Sequence, residues 1–220
     1  MSFFKHDLRK VVVIGASGFG RETLDVLEAM QLAGSDFQIC GVLDDSPSKE
    51  NLDRLSSRNI EYLGTVDDFL DSAGNSIQYL IGIGDPKIRK IIARKMDLAE
   101  RIPFTAVHPS AIVGSSSRIG PGSIICAGVI VSTNVELGFH AHLNPGVVIG
   151  HDSVISDFAS INPSATISGE VSVLSGTLVG ANATVLQNLI VGRDVLIGAA
   201  AVVTKNIPDN AIAKGVPARW

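Results

Sequence analysis

The sequence predicts an α/β unit followed by an all-β solenoid, and three observations carry that prediction. From Val107 to Pro208 the chain divides without a gap into seventeen six-residue blocks, each opening with Val, Ile or Leu. Near the other end a glycine turn, Gly15-Ala-Ser-Gly18-Phe-Gly20, follows an apolar run and opens a helical pattern. Composition changes between the two regions. Of the 40 charged residues, 29 lie in residues 1–106 and 8 in residues 107–208. That shift predicts two domains, 1–106 and 107–220.

In the front half, Lys10-Val-Val-Val-Ile-Gly15 is a continuous apolar run suited to a buried parallel strand. Arg21 to Leu32 has helical periodicity, with Leu24, Val26 and Leu27 on its apolar side. Phe37 to Leu43 reads as a second strand ending in Asp44-Asp45. A helical stretch spans Val66 to Ser72, and a third strand spans Gln78 to Ile83. Gly84-Asp85-Pro86 turns into a helix from Lys87 to about Lys95. Thr105 to Val107 hands over to the solenoid between Pro103 and Pro109. This is a small Rossmann-like unit, too short for a full dinucleotide-binding domain.

Bulk properties exclude several roles. A net charge of −4 offers no basic footprint for nucleic acid. The start, Met1 to Lys10, is polar, and Val11 to Ile14 is far too short for a signal core or a membrane span. Cys40 and Cys126 show no metal or redox spacing and read as free thiols of a cytoplasmic protein.

A period of six fits neither a 3.6-residue helix nor an alternating strand, so the array is a solenoid. Branched openers suit a packed, pleated interior, and the fifth place is small or β-branched except at Leu189. Such an array resembles the left-handed parallel β-helix of the hexapeptide-repeat acyltransferases. The resemblance implies three blocks per triangular coil, with residues eighteen apart stacked at about 4.8 Å. Seventeen blocks then make between five and six coils. An ice-binding prism would need flat rows of Thr, and Thr133, Thr166, Thr177, Thr184 and Thr204 are scattered.

Two stretches carry chemistry. Gly15-x-x-Gly18-x-Gly20 departs from the dinucleotide spacing, yet its place between strand and helix lets backbone approach a phosphate. Asp44 and Asp45 end the next strand, where a carboxylate reaches a ribose hydroxyl or a base. The plainer alternative is that these glycines only allow tight strand–helix packing. The second stretch runs from His140-Ala-His142-Leu-Asn144 to Gly150-His151-Asp152. Acetyl transfer needs a base near the nucleophile and donors for the oxyanion, and histidine suits the first task. His151 is third in its block, at a corner. Gly169 is third in the block eighteen residues later, so its N–H lies one coil away, suited to polarising a carbonyl. Asp152 and Asp157 are carboxylate candidates beside the base, with turn-capping as the alternative for Asp152. His140, His142 and Asn144 receive no role.

Ile14-Gly-Ala-Ser-Gly-Phe-Gly-Arg-Glu22, Leu43-Asp-Asp45, Ile81-Gly-Ile-Gly-Asp85 with Arg89, and the tail Lys214-Gly-Val-Pro-Ala-Arg219 together resemble the bacterial sugar O- and N-acyltransferases. These include sialic acid O-acetyltransferases and acetyltransferases of nucleotide-linked 4-amino sugars. The resemblance implies a front domain that holds the nucleotide through Gly15, Ser17, Gly18, Asp44, Asp45 and Gly84. It implies a homotrimer binding acetyl-CoA between subunits, with Ser160, Gly180, Ala199 and Pro217 at the cofactor. His151 is then the general base, Asp152 its orienting acid and Gly169 the oxyanion donor, with no metal and no acyl-enzyme. Some members carry a second histidine that contacts acetyl-CoA where this chain has Ser160, and an acid where it has Gly150. Those departures bear on whether the acceptor is UDP-linked. The expected activity is acetylation of the amine of a nucleotide-linked amino sugar in surface-glycan biosynthesis. Alternatives are O-acetylation of sialic acid or another free or polysaccharide sugar, and a sugar-nucleotide-binding regulatory subunit. A metal-dependent hydratase of the gamma-carbonic-anhydrase type would use His140, His142 and His151, which lack that family's separation.

Overall fold

A computed structural model describes residues 8–72 and 76–220; most of the polar start, residues 1–7, lies outside them. The front domain is a parallel sheet of β1 (Arg9–Ile14), β2 (Phe37–Leu43) and β3 (Ile77–Ile81) in the order β2-β1-β3. Val11, Val12, Val13 and Ile14 are all buried, as a continuous apolar run on a central strand requires. Around the sheet stand α1 (Gly18–Leu32), α2 (Lys49–Ser56), α3 (Val66–Ser72) and α4 (Pro86–Leu98). The chain leaves β1 toward β2 on one side, and β3 joins on the other. The crevice at this switch point is shared by the turns after β1 and β3. Three details differ from expectation. The helix α1 starts at Gly18, β3 stops at Ile81, and α2 has no counterpart in the sequence reading. That helix is polar, capped by Ser48 accepting from the Asn51 N–H, and buries only Leu55.

The solenoid is a left-handed parallel β-helix of two-residue strands, from β4 (Ala106–Val107) to β21 (Ile212–Ala213). They form three parallel sheets of seven, six and five strands. Residues eighteen apart pair, as Leu143 does with Ile125 and Ile161. Each strand joins the sixth place of one block to the first of the next, so the first points inward and the sixth outward. The fifth place also turns inward, with Ala141, Val147, Ala159, Ala165 and Val171 fully buried. The fourth place is left-handed at corner after corner, and Asn134, Asp152, Asn182, Asp194 and Gly146 tolerate that conformation.

One expectation is corrected. The eighteen-residue register does not run unbroken to Pro208, because Val191 bridges to Ile207 and Ile197 pairs with Ala213, each sixteen residues on. The last coil is two residues short. Beyond it the tail folds back: Val202 N–H donates to Gly215 O, and Ala218 N–H donates to Val202 O.

The front domain covers the seven-stranded face. The outward row of that face begins Ala106, Ile124, His142, Ser160, all at most 1% exposed, and ends at Leu178, Leu196 and Ile212, the last two exposed. Arg89 of α4 crosses the seam fully buried. Its Nε donates to His140 O (3.1 Å). Its Nη1 donates to Ile83 O (2.8 Å) and Gly84 O (3.3 Å), and its Nη2 to Phe158 O (2.7 Å) and Ser160 Oγ (2.8 Å). His142 packs on Phe19 (4.7 Å between ring centroids), and His140 stacks between Tyr79 (5.8 Å) and Phe158 (5.5 Å).

Burial, then the nearby Arg89 charge, pushes His140 down to about 4 against a partial counter-effect of Asp157, and holds His142 well below its ordinary value. Both rings are neutral at pH 7. His140 therefore contributes stability that is complete above its unfolded pKa near 6.5 and is lost as pH falls through about 4. We expect the unfolding free energy read from urea titrations to drop across that window, by roughly 3 kcal/mol at the limit from His140. His140→Asn, which keeps a residue at ease with φ 52°, should flatten the acid limb. An acid limb of equal steepness in this variant would show that the seam histidine does not control it.

Candidate active site and ligand crevice

Two chemically distinct places emerge. The first is the crevice at the ends of β1 and β3, where the glycines divide into two kinds. Gly15, Gly20 and Gly82 are packing glycines. A Cβ on Gly20 would lie 1.8 Å from Gly15 O, and one on Gly82 would lie 2.6 Å from the Gly20 Cα. Gly15, expected at the ligand, is buried with φ 113° and enclosed by Gly82 and Ile83. It shapes the turn. Gly18 and Gly84 are exposed, and a Cβ on either would meet nothing within 4 Å. Those two leave backbone open to a ligand.

Ser17 is the N-cap of α1, but its side chain makes no capping bond, and the first turn holds no acid. By contrast Asp85 caps α4 by accepting from the Lys87 and Ile88 N–H groups. The N-terminus of α1 thus keeps open donors beside Gly18, the arrangement that receives a phosphate. Asp44 and Asp45 are already engaged. Asp44 accepts from Ala16 N–H (2.8 Å) and Ser46 N–H (2.9 Å), tying the glycine turn to β2. Asp45 accepts from Val66 N–H (2.8 Å) at the start of α3. Below the crevice a groove of about 550 Å³ opens between Asp85–Lys87 and the apolar row Leu178, Leu196, Ile212.

The second place is the corner between the six- and five-stranded sheets. There His151 Nδ1 meets Asp152 Oδ2 at 2.7 Å, and Asp152 Oδ1 accepts from Asn134 Nδ2 one coil earlier (3.0 Å). The bond to Asn134, then the one to His151, holds the Asp152 carboxyl below its ordinary value, so it stays ionised near neutral pH. An ionised partner fixes the proton on Nδ1 and leaves Nε2 as the basic nitrogen. The ring lies over Gly169: a Cβ there would come within 2.6 Å of His151 Nε2. Gly150 matters too, since a Cβ on it would sit 2.5 Å from Gly169 N and obstruct that donor.

Other expected site residues separate. A Cβ on Gly180 would reach Ala199 N at 2.6 Å, so those two meet, but at the corner between the seven- and six-stranded sheets. Pro217 is exposed in the tail. Ser160, expected beside acetyl-CoA, is instead 1% exposed in the domain seam, bonded to Arg89 and donating to Gly84 O (3.2 Å). Asp157 lies at another corner than His151 and accepts from Phe139 N–H. His140 and His142 are sealed in the seam, away from His151, and the described residues hold no cluster of three His, Cys, Asp or Glu side chains arranged to bind a metal. Sequence reasoning missed Arg89 as a bridge and the uncapped start of α1. The missing acid in that helix's first turn was the available signal for the latter.

The PglD N-terminal domain family matches residues 10–96. GDP-perosamine N-acetyltransferase of Escherichia coli O157:H7 is 31% identical over 135 residues, covering 60% of this chain and 58% of that protein. The match therefore spans little more than half of the relative's length. PerB from Caulobacter crescentus, solved in complex with CoA and GDP-perosamine, aligns at 27% identity over 96% of each chain with a TM-score of 0.85. The acetyltransferase domain of PglB from Neisseria gonorrhoeae FA1090, in complex with acetyl coenzyme A, aligns at 28% identity. That alignment covers 96% of this chain and 98% of the other, with a TM-score of 0.86.

Gly169→Ala tests the corner directly. The new methyl should displace the exposed imidazole and cost little stability, within about 0.5 kcal/mol as for most surface changes. Nitrogen NMR of the His151 ring should then show a tautomer mixture in place of a single form. An unchanged spectrum would mean that the ring is not held over Gly169.

Proposed function

We infer the activity from two likenesses: residues 10–96 match the PglD N-terminal domain family, and they are joined to a β-helix similar to that of solved sugar acetyltransferases. We propose that the chain transfers acetyl from acetyl-CoA to the amine of a nucleotide-linked amino sugar, in glycan biosynthesis in the cytoplasm. The observation that carries this reading is the His151 imidazole, steadied by Asp152 and seated over Gly169.

In this reading the front domain, residues 1–106, holds the nucleotide. Ser17, Gly18 and Gly84 present backbone and hydroxyl to it, and the open donors of α1 meet its phosphates. The sugar amine attacks the thioester carbonyl while His151 Nε2 takes the amine proton. Gly169 N–H stabilises the oxyanion. Collapse of the tetrahedral intermediate breaks the C–S bond, and the proton on Nε2 passes to the departing CoA thiolate. Residues 107–220 supply the acetyl-CoA contacts, with Gly180, Ala199 and Pro217 flanking the cofactor. The proposal needs no metal, and the burial of His140 and His142 in the seam argues against a three-histidine hydratase.

The prism geometry argues that the site is shared. The front domain covers the seven-stranded face, whereas His151 stands on the edge opposite that face. A nucleotide held by one copy is turned away from that copy's own base. His151 is also largely exposed on a single chain, and transition-state electrostatics is effective only where water is excluded. A three-fold trimer solves both problems by placing the crevice of one copy against the His151 edge of the next.

His151→Ala should lower kcat by about 10²–10⁴ with acetyl-CoA affinity kept, and Asp152→Asn should cost less. Gly18→Val finds open space and should leave stability unchanged while raising acceptor KM. Gly20→Ala should instead disrupt folding, by about 1–3 kcal/mol or more. Co-assembling His151→Ala with Gly18→Val chains should recover about a quarter of wild-type turnover, since a random trimer pairs intact halves at that frequency. Full turnover by His151→Ala sinks the base assignment. No recovery on mixing sinks the shared site. An acceptor indifferent to Gly18→Val favours O-acetylation of a sugar without a nucleotide.

A further inference from the structure

We propose that Arg89 and Ser160 act as a positioning pair for the reaction, fixing the turn 82–85, and with it the acceptor, against the β-helix. The inference rests on the acetyltransferase reading and goes beyond it in assigning a task to two residues buried away from the base.

The geometry is specific. Gly84 O accepts from Arg89 Nη1 (3.3 Å) and from the Ser160 hydroxyl (3.2 Å), and that hydroxyl in turn accepts from Arg89 Nη2 (2.8 Å). The same guanidinium holds Ile83 O on the front domain and His140 O and Phe158 O on the β-helix. The inner side of the turn is therefore pinned from the solenoid, while its outer side, at Gly84, is open to the crevice. The two pinned corners are themselves strained. His140 (φ 52°) and Phe158 (φ 60°) hold a left-handed backbone that bulky residues seldom adopt.

Adhesion alone does not account for this chemistry. A guanidinium buried with no bonded carboxylate is costly, and an apolar pair would join two domains at least as well. What an apolar pair cannot do is aim a carbonyl. A planar fork of donors can, and a lysine, with one compact charged head, would not reach both sides of the seam in the same way. Ser160 completes the fork with a group that both accepts and donates.

The test uses the full chain and three variants: Ser160→Ala, Arg89→Lys and the double. Ser160→Ala removes one hydroxyl and should fold. We expect its acceptor KM to rise about three- to tenfold, as for loss of one buried hydrogen bond, with acetyl-CoA KM unchanged. Arg89→Lys should raise acceptor KM further, and the double variant should be no worse than Arg89→Lys alone, because the two residues act as one unit. A lowered Tm with unmoved acceptor KM in Ser160→Ala would overturn the proposal, as would equal losses for acceptor and acetyl-CoA. Amide hydrogen exchange at Gly82, which donates to Ile14 O, and at Lys87 and Ile88, which donate to Asp85 Oδ1, is a readout independent of turnover, and it should quicken in Ser160→Ala while the β1 amides stay protected. Unchanged exchange at those three amides overturns the pair. A wild-type chain that acetylates no nucleotide-linked amino sugar overturns the acetyltransferase reading alone, with the exchange result still deciding whether Arg89 and Ser160 hold the turn.

Discussion

The molecule depends on one buried cation. The front sheet and the β-helix have different periods and different surfaces, and nothing in their backbones makes them match. Arg89 supplies the match by donating in three directions at once, to the turn after β3 and to two corners of successive coils. Burial pulls its guanidinium down to about 9, and it still carries its charge at neutral pH. A charge in that position is stable only while every donor has an acceptor. The seam therefore tolerates few alternative dockings. The outward row of the covered face reflects this, changing from Ala106 and Ile124 to His142 and Ser160 where the guanidinium arrives.

That rigidity gives meaning to the division among the glycines. Gly15, Gly20 and Gly82 bring β1, α1 and β3 so close that no side chain fits between them, which fixes the crevice floor. Gly18 and Gly84 stand on its rim with space before them. The crevice is thus a rigid mould held at a set height on the prism, facing away from its own histidine. In the proposed trimer the two chemistries meet through assembly, the crevice of one copy serving the histidine of the next.

Much of this was legible in the sequence. The hexad was readable because burial in a solenoid repeats at fixed intervals, so Leu143, Ile161 and Val179 stack inward as the openers imply. The juxtaposition of His151 with Gly169 followed from the same period. The failures have physical reasons. The helix α2 carries almost no apolar stripe, and its only strong signal is the Ser48 cap. The short last coil escaped notice because Ile207 is apolar and lies where the fifth place of the block should be. Ser160 stands where a cofactor contact is expected, while the fold engages it with Arg89 and Gly84 O. Contacts between distant segments are what a linear period cannot encode. His140 and His142 looked like chemistry because the seam that silences them is invisible in one dimension.

The shortened final coil has a consequence for growth. A parallel β-helix ends in strands whose backbone groups are free to template another coil, the edge that in other proteins nucleates fibres. Here the regular rise stops at Val202–Val203, and the Val202 amide and carbonyl are taken by Gly215 and Ala218. Lys214 and Arg219 pair antiparallel across the fold-back. A second molecule approaching end-on at this strand would meet a crossed hairpin with its ladder already satisfied. One reversal of direction thus turns an edge that could template further pairing into one that is already closed.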